Sequence, residues 1–370
     1  MAHWNVYVGG FTREFAQEIE QLNKTADIFW RGNHPGLRGT PSQGIERFGF
    51  DDGTGTLRRT ETTAGDLISP QYLALHPRLP VVYAAEFGRP GRLSALVVRP
   101  DGALARGSRT GPSGELAVAV SVHPSGNCAY VAHWGDGTLA VVPLDAEGMV
   151  AMAGSAATAG RRDGPSARHH EARVTPRGNG LLVTDIGREE LIAFGLDAGG
   201  TLSTSPTARI SLPGTSPRHI EFHPSGRFVY VVGERGSMLH ILEAEDGIPR
   251  KILHSYSTVP PGYQGKSTPS ELSIHPDGHT IYVGNRGSDC ITIFSLDDCG
   301  TAKPLGYQPS LGRSPRGVRI DPTGRYLLVA NRDSGNIAVF KIERDRRLTP
   351  VGEPVDASSP SSIVFVKAAA

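Results

Sequence analysis

The chain has 370 residues, rich in glycine (46) and proline (28), with 38 lysines and arginines against 37 aspartates and glutamates. That near-neutral balance excludes recognition of nucleic acid or a membrane surface by bulk charge, and three cysteines (Cys128, Cys290, Cys299) are too few and too unevenly spaced for a disulfide framework or a zinc cluster. No apolar run reaches the ~18–20 residues of a membrane span, and no basic and apolar leader precedes Val6, so the expectation is a cytoplasmic protein outside the membrane.

In chain order, NVYVGG predicts a first strand, and GIERFGF and TLRRTETT predict two more. Between them residues 13–43 form an insertion where a short loop would suffice. Part of it, REFAQEIEQLNK, suits a helical turn or two, and the insertion is either a lid or a surface excursion. A phrase then recurs six times: HPRLPVVYAAEFG from His76, HPSGNCAYVAHWG from His123, TPRGNGLLVTDIG from Thr175, HPSGRFVYVVGERG from His223, HPDGHTIYVGNRG from His275 and DPTGRYLLVANRDSG from Asp321. Its prolines are spaced 46 to 52 residues apart, a period that suits a four-stranded propeller blade. Each unit carries β-branched and aromatic strands with no long helical periodicity. At the far end SPSSIVFV is a first strand lacking its blade, whereas NVYVGG is a second strand lacking its first. Joined, they make a seventh blade and remove the open seam. The expected fold is all-β: one domain over residues 1–370, a seven-bladed β-propeller of four-stranded blades closed by N- and C-terminal strands in one blade.

The Pro-Gly turns lie at one face, so residues entering the first strand and leaving the second meet at the other. Counted from each proline, this rim carries His170, Arg218 and Arg316 (six before), Glu271 (five before), Glu86 and Asp185 (nine after), and Glu234, Arg286 and Arg332 (ten after). So many ionisable groups in one concave place suit a small-molecule site. A non-catalytic binding module predicts a rim of apolar and small residues instead. Arg316, Arg332, Asp185 and Glu86 are either substrate-binding groups or members of inter-blade ion pairs, and Arg218 with Glu234 is either functional or a salt bridge within one hairpin. His76, His123, His223 and His275 precede the turn prolines at the far face and read as turn or capping residues. His169 and His170 point to opposite sides of one strand, a poor metal site. With no HExxH, cysteine cluster or phosphate loop, no metal and no cofactor are expected.

The phrases SPQYLALHP, SPRHIEFHPSGRFVYVVGE, PPGYQGKSTPSELSIHPDGHTIYVGNRG and SPRGVRIDPTGRYLLVAN resemble the lactonase family of seven-bladed propellers, which includes 6-phosphogluconolactonases and carboxy-cis,cis-muconate cyclase. The resemblance implies a metal-independent enzyme in which His170, Glu234, Arg218 and Arg286 form the catalytic tetrad. Its implied partner is a small anionic lactone or polycarboxylate, taken by a monomer or homo-oligomer. A lactone hydrolase and a lactonising isomerase would use the same four residues. Arg168-His169-His170 in place of the frequent H-x-H, Gly233-Glu234 in place of Asn-Glu, and the insertion after Thr12 depart from the family pattern.

Overall fold

Each P-x-G phrase closes a hairpin whose glycine takes a left-handed conformation, with φ of 71° to 82° at Gly126, Gly178, Gly226, Gly278 and Gly324. A side chain there would be strained, which is why glycine recurs at this point of the repeat. The computed structural model describes residues 2–15, 17, 39–64, 66–150, 157–158 and 167–369. They form seven antiparallel sheets, one per blade, with strands in simple meander order. The first strands of the blades, Pro360–Lys367, Pro70–Leu75, Ala117–Val122, His169–Val174, Pro217–Phe222, Thr268–Ile274 and Pro315–Ile320, pack on one another around a central channel.

Blade one joins the two ends of the chain. The strand Pro360–Lys367 pairs antiparallel with His3–Gly10, with Tyr7 opposite Val364, and Ile45–Asp51 and Thr56–Thr63 complete the sheet. Ser361 on the closing strand donates from Oγ to Gly9 O at 3.1 Å and to Gln71 O at 2.7 Å, which ties blade one to blade two.

The second strands of blades two to seven are buried along their whole length, because each is covered on both faces by a neighbouring blade. Their interiors are mostly valine, leucine, isoleucine, alanine and tyrosine. Tyrosines on the second strands, blade one included, reach across to the next blade. Tyr7, Tyr83 and Tyr282 donate to the carbonyls of Gly102, Gly148 and Arg346 at 2.7, 2.7 and 3.0 Å. At the turn face His123 and His275 bond the carbonyls of Gly178 and Gly324, the turn glycines of the following blades, at 2.9 and 3.0 Å. The repeated histidine is thus a latch between blades.

Most of the insertion 13–43 falls outside the described residues. Of its described ends, Arg13 to Phe15 form a helical turn, and Ser359 Oγ donates to Thr40 O at 2.8 Å. No helix among the described residues is long and apolar enough to cross a membrane.

Candidate active site

One structural device positions the chemistry. In five blades the residue six before the turn proline is skipped by the pairing register: Pro217 opposes Gly233 and His219 opposes Val232, leaving Arg218 as the extra residue of a β-bulge. His170, Gln71, Val118 and Arg316 are the skipped residues of their own blades. A bulge re-aims one side chain out of the regular alternation. Here it turns that side chain toward the rim, where it meets the residue that leaves the second strand ten places after the proline.

A niche of about 40 Å³ results, lined by His170, Arg218 and Arg316 from bulges and by Phe87, Trp134, Glu234 and Arg286 from strand exits, with Val118 and Phe15. Glu234 Oε2 lies 3.3 Å from Arg218 Nε, and Oε1 lies 3.0 Å from Arg286 Nη2. Each arginine is anchored behind the carboxylate. Arg218 donates from Nη1 to Ser270 O, and Arg286 donates to Thr268 O at 3.0 Å and Pro269 O at 3.1 Å. Arg316 donates to Gln71 Oε1 at 3.0 Å, and its guanidinium carbon stands 4.7 Å from the centre of the Phe11 ring.

Glu234 is placed by its backbone. Its N–H donates to Ser216 O and that of Arg235 to Thr215 O, both at 2.9 Å. Gly233 permits this approach, since a Cβ there would stand 2.7 Å from Thr215 O.

Three guanidiniums and one carboxylate give the niche net positive charge. Burial, with the Arg286 charge second, brings the Arg218 pKa down to about 10. Burial and then Arg218 push that of Arg316 well below its usual value. Burial, followed by the charge of Arg218, also holds His170 well below the ordinary imidazole range, so it is neutral at physiological pH. Its Nδ1 is buried without a hydrogen-bond partner, and its ring stands 5.1 Å from that of His219, edge to face.

The remaining expected residues lie elsewhere, for reasons of strand alternation. Residues nine after the proline face into their own blade. Glu86 accepts from Ile68 N at 2.9 Å and Ser94 Oγ at 2.7 Å and pairs with Arg109. Asp185 accepts from the backbone N–H groups of Arg168, Gly187 and Arg188 at 2.9 to 3.1 Å. Glu271 points down the channel, accepting from Val318 N at 2.9 Å with Arg319 Nη2 at 3.4 Å. It belongs to a buried chain of charges, Glu171, Arg173, Glu221 and Arg319, that braces the inner strands below the niche. Arg332 pairs with Asp333 at 2.6 Å and packs on Phe11. So Glu86, Asp185 and Glu271 leave the rim set as braces, and Arg332 is engaged beside the niche.

Sequence reasoning missed the apolar wall. Phe87 and Trp134 occupy the aligned positions but carry no charge, and Phe15 lies in the insertion where no repeat could flag it. Among the described residues no group of acidic, histidine or cysteine side chains could hold a metal ion.

Comparison with known proteins adds four findings. A family profile described as "Lactonase, 7-bladed beta-propeller" matches residues 6–365. A Bacillus subtilis protein named 6-phosphogluconolactonase is 27% identical over 265 residues, 69% of this chain and 74% of that protein. Among solved structures, a Pseudomonas aeruginosa periplasmic gluconolactonase is 25% identical with a TM-score of 0.80, over 99% of this chain and 100% of that one. A Lactobacillus plantarum protein at 21% identity and TM-score 0.80 shares the fold over 99% of this chain and 100% of its own.

Proposed function

The chain belongs to the lactonase family of seven-bladed β-propellers, and on that footing we propose that it hydrolyses the ester of a small anionic sugar-acid lactone, as a 6-phosphogluconolactonase does. The observation that carries this reading is the convergence of Arg218, Arg286, Arg316, His170 and Glu234 on one niche.

Lactone hydrolysis needs a base for water and donors for the oxygen that becomes negative. The niche, at about 40 Å³, has room for roughly one water. In the proposed reaction Glu234 takes the proton of that water as its oxygen bonds to the ester carbon, and neutral His170 helps to orient it. The carbonyl electron pair collects on oxygen facing the guanidiniums, whose preset N–H groups stabilise it without reorganisation. Collapse breaks the ring C–O bond, and the departing oxygen takes the proton from Glu234, giving the open hydroxy acid. Arg316 faces the same niche and serves an anionic group of the substrate.

The excess of guanidiniums also favours a second reading, a lactonising isomerase acting on a polycarboxylate. A panel of gluconolactone, 6-phosphogluconolactone and muconolactone, with carboxymuconate as the open-chain substrate, separates them. Hydrolysis of a sugar-acid lactone that is lost in Glu234→Gln supports the first, cyclisation of the muconate supports the second, and inertness toward all sinks both. We place the reaction in the cytoplasm. The thiols of Cys128, Cys290 and Cys299 are free, as a reducing compartment allows, although the P. aeruginosa relative is described as periplasmic.

A further inference from the structure

The niche is too small for a lactone ring, so the body of the substrate lies outside it. Directly outside is a cleft of about 410 Å³ that shares Trp134 and Glu234 with the niche. Its lining combines apolar and aromatic residues, Trp134, Ile186, Val259 and Tyr263, with hydroxyl-bearing ones, among them Ser237 and Thr268. Much of the wall comes from a single connection, residues 258–267, between the strands Ile248–Ser257 and Thr268–Ile274. Its ten residues are twice the five that link Leu202–Ser211 to Pro217–Phe222 or Ala302–Pro309 to Pro315–Ile320. Val259, Tyr263, Gly265, Lys266 and Ser267 all come from this longer loop. A rim loop lengthened beyond the needs of the fold is where recognition is built.

We propose that this cleft is a second subsite, which takes the distal sugar of a two-ring sugar-acid lactone while the niche holds the reacting ester. The inference rests on the lactonase reading and extends it to the substrate's size and shape. A pyranose carries C–H groups on its faces and hydroxyls around its edge, so it suits a lining that mixes aromatic and hydroxyl-bearing side chains. The cleft offers both, and its volume lies in the range of pockets that enclose ligands well above one ring in bulk. Arg235 and Lys266 also line it, so the test includes a phosphorylated competitor.

The experiment is calorimetric binding of three acids to the whole protein: lactobionate, which carries a galactose ring on an open-chain gluconate, gluconate with the acid part alone, and 6-phosphogluconate. Lactobionate is expected to bind at least about tenfold more tightly than gluconate. That ratio should fall toward one in Tyr263→Ala, and in Val259→Trp, which fills the cleft. Equal affinities for lactobionate and gluconate, or a ratio that neither variant moves, overturn the subsite. So does tightest binding of 6-phosphogluconate with its advantage lost in Lys266→Ala, which would make the cleft a phosphate seat. Turnover of lactobionolactone, which has two rings, is read separately: a binding preference for the distal galactose ring without turnover supports the subsite and counts against the hydrolase reading alone.

Discussion

Glu234 sits between Arg218 and Arg286 with an oxygen toward each. Replacing it with glutamine keeps the shape and removes both the base and the charge those guanidiniums face. The expected loss in kcat/KM is about 10²–10⁴-fold, with an unchanged far-UV spectrum; retention of wild-type turnover refutes the assigned role. Arg218→Lys should cost at least about tenfold, because lysine cannot bond Ser270 O and approach Glu234 from one planar fork. Buried imidazoles give a second prediction, on stability. Burial lowers the pKa of His133 and His240 from 6.5 to about 4, and holds His170 and His219 well below 6.5. Between those folded values and 6.5 the unfolded chain binds protons that the folded chain does not. Stability is therefore complete above pH 6.5 and is lost as pH falls toward 4, by up to ~1.4 kcal/mol per pH unit for each imidazole. Glu171 and Glu271, raised by burial, act in the opposite direction just above 4.5 and offset part of this loss. Thermal unfolding should show a lower Tm at pH 5 than at pH 7.5, and a higher one would contradict the assignment.

At the scale of the strand and its exit, Gly233 is a tight constraint beside the site. A methyl group there would stand 2.7 Å from Thr215 O and 2.8 Å from Thr215 Cβ, so the two strand ends must separate. Gly233→Ala should cost roughly 1–3 kcal/mol and displace Glu234, lowering kcat along with Tm. A variant with wild-type Tm and rate would show that the strand end yields freely. The same scale explains what was legible in the sequence. Counting from the turn proline identified the columns that meet at the rim, and His170, Arg218, Glu234 and Arg286 fall on them. The count could not show that the residue six before the proline is a bulge, since a bulge is a register shift between two strands and leaves no periodicity in either. Without it, Glu86, Asp185 and Glu271 look equivalent to their neighbours. With it, positions nine after the proline turn into the blade and positions five before turn down the channel. The apolar partners were passed over for another reason: Trp134 and Phe87 fall on the same rim columns, but a search for ionisable groups gives an uncharged ring no role until the cavity beside it is seen.

Across the whole molecule, the number of blades and their closure followed from six repeats and two complementary fragments, because a ring leaves no other place for half-blades. Among the described residues, the inner strand Pro360–Lys367 is the only pairing partner of His3–Gly10 on the channel side. Deleting residues 359–370 should expose that edge and leave the neighbouring first strands Pro315–Ile320 and Pro70–Leu75 without the element between them. The expected outcome is aggregation on size-exclusion chromatography, or a large fall in Tm. A monodisperse truncated protein with wild-type Tm would contradict closure as a stabilising element.

The hydrogen bonds from Ser361 also set an order of events during synthesis. Ser361 is made after every other strand of the ring, and it secures the backbone of Gln71, whose side chain holds Arg316 at the niche. Contacts that join the two ends of a chain are the slowest to form, because nearly the whole polymer must be gathered first. A nascent chain with six blades emerged from the ribosome therefore still lacks the strap behind Arg316. The niche is completed only when the closing strand seats, after the rest of the ring has been made.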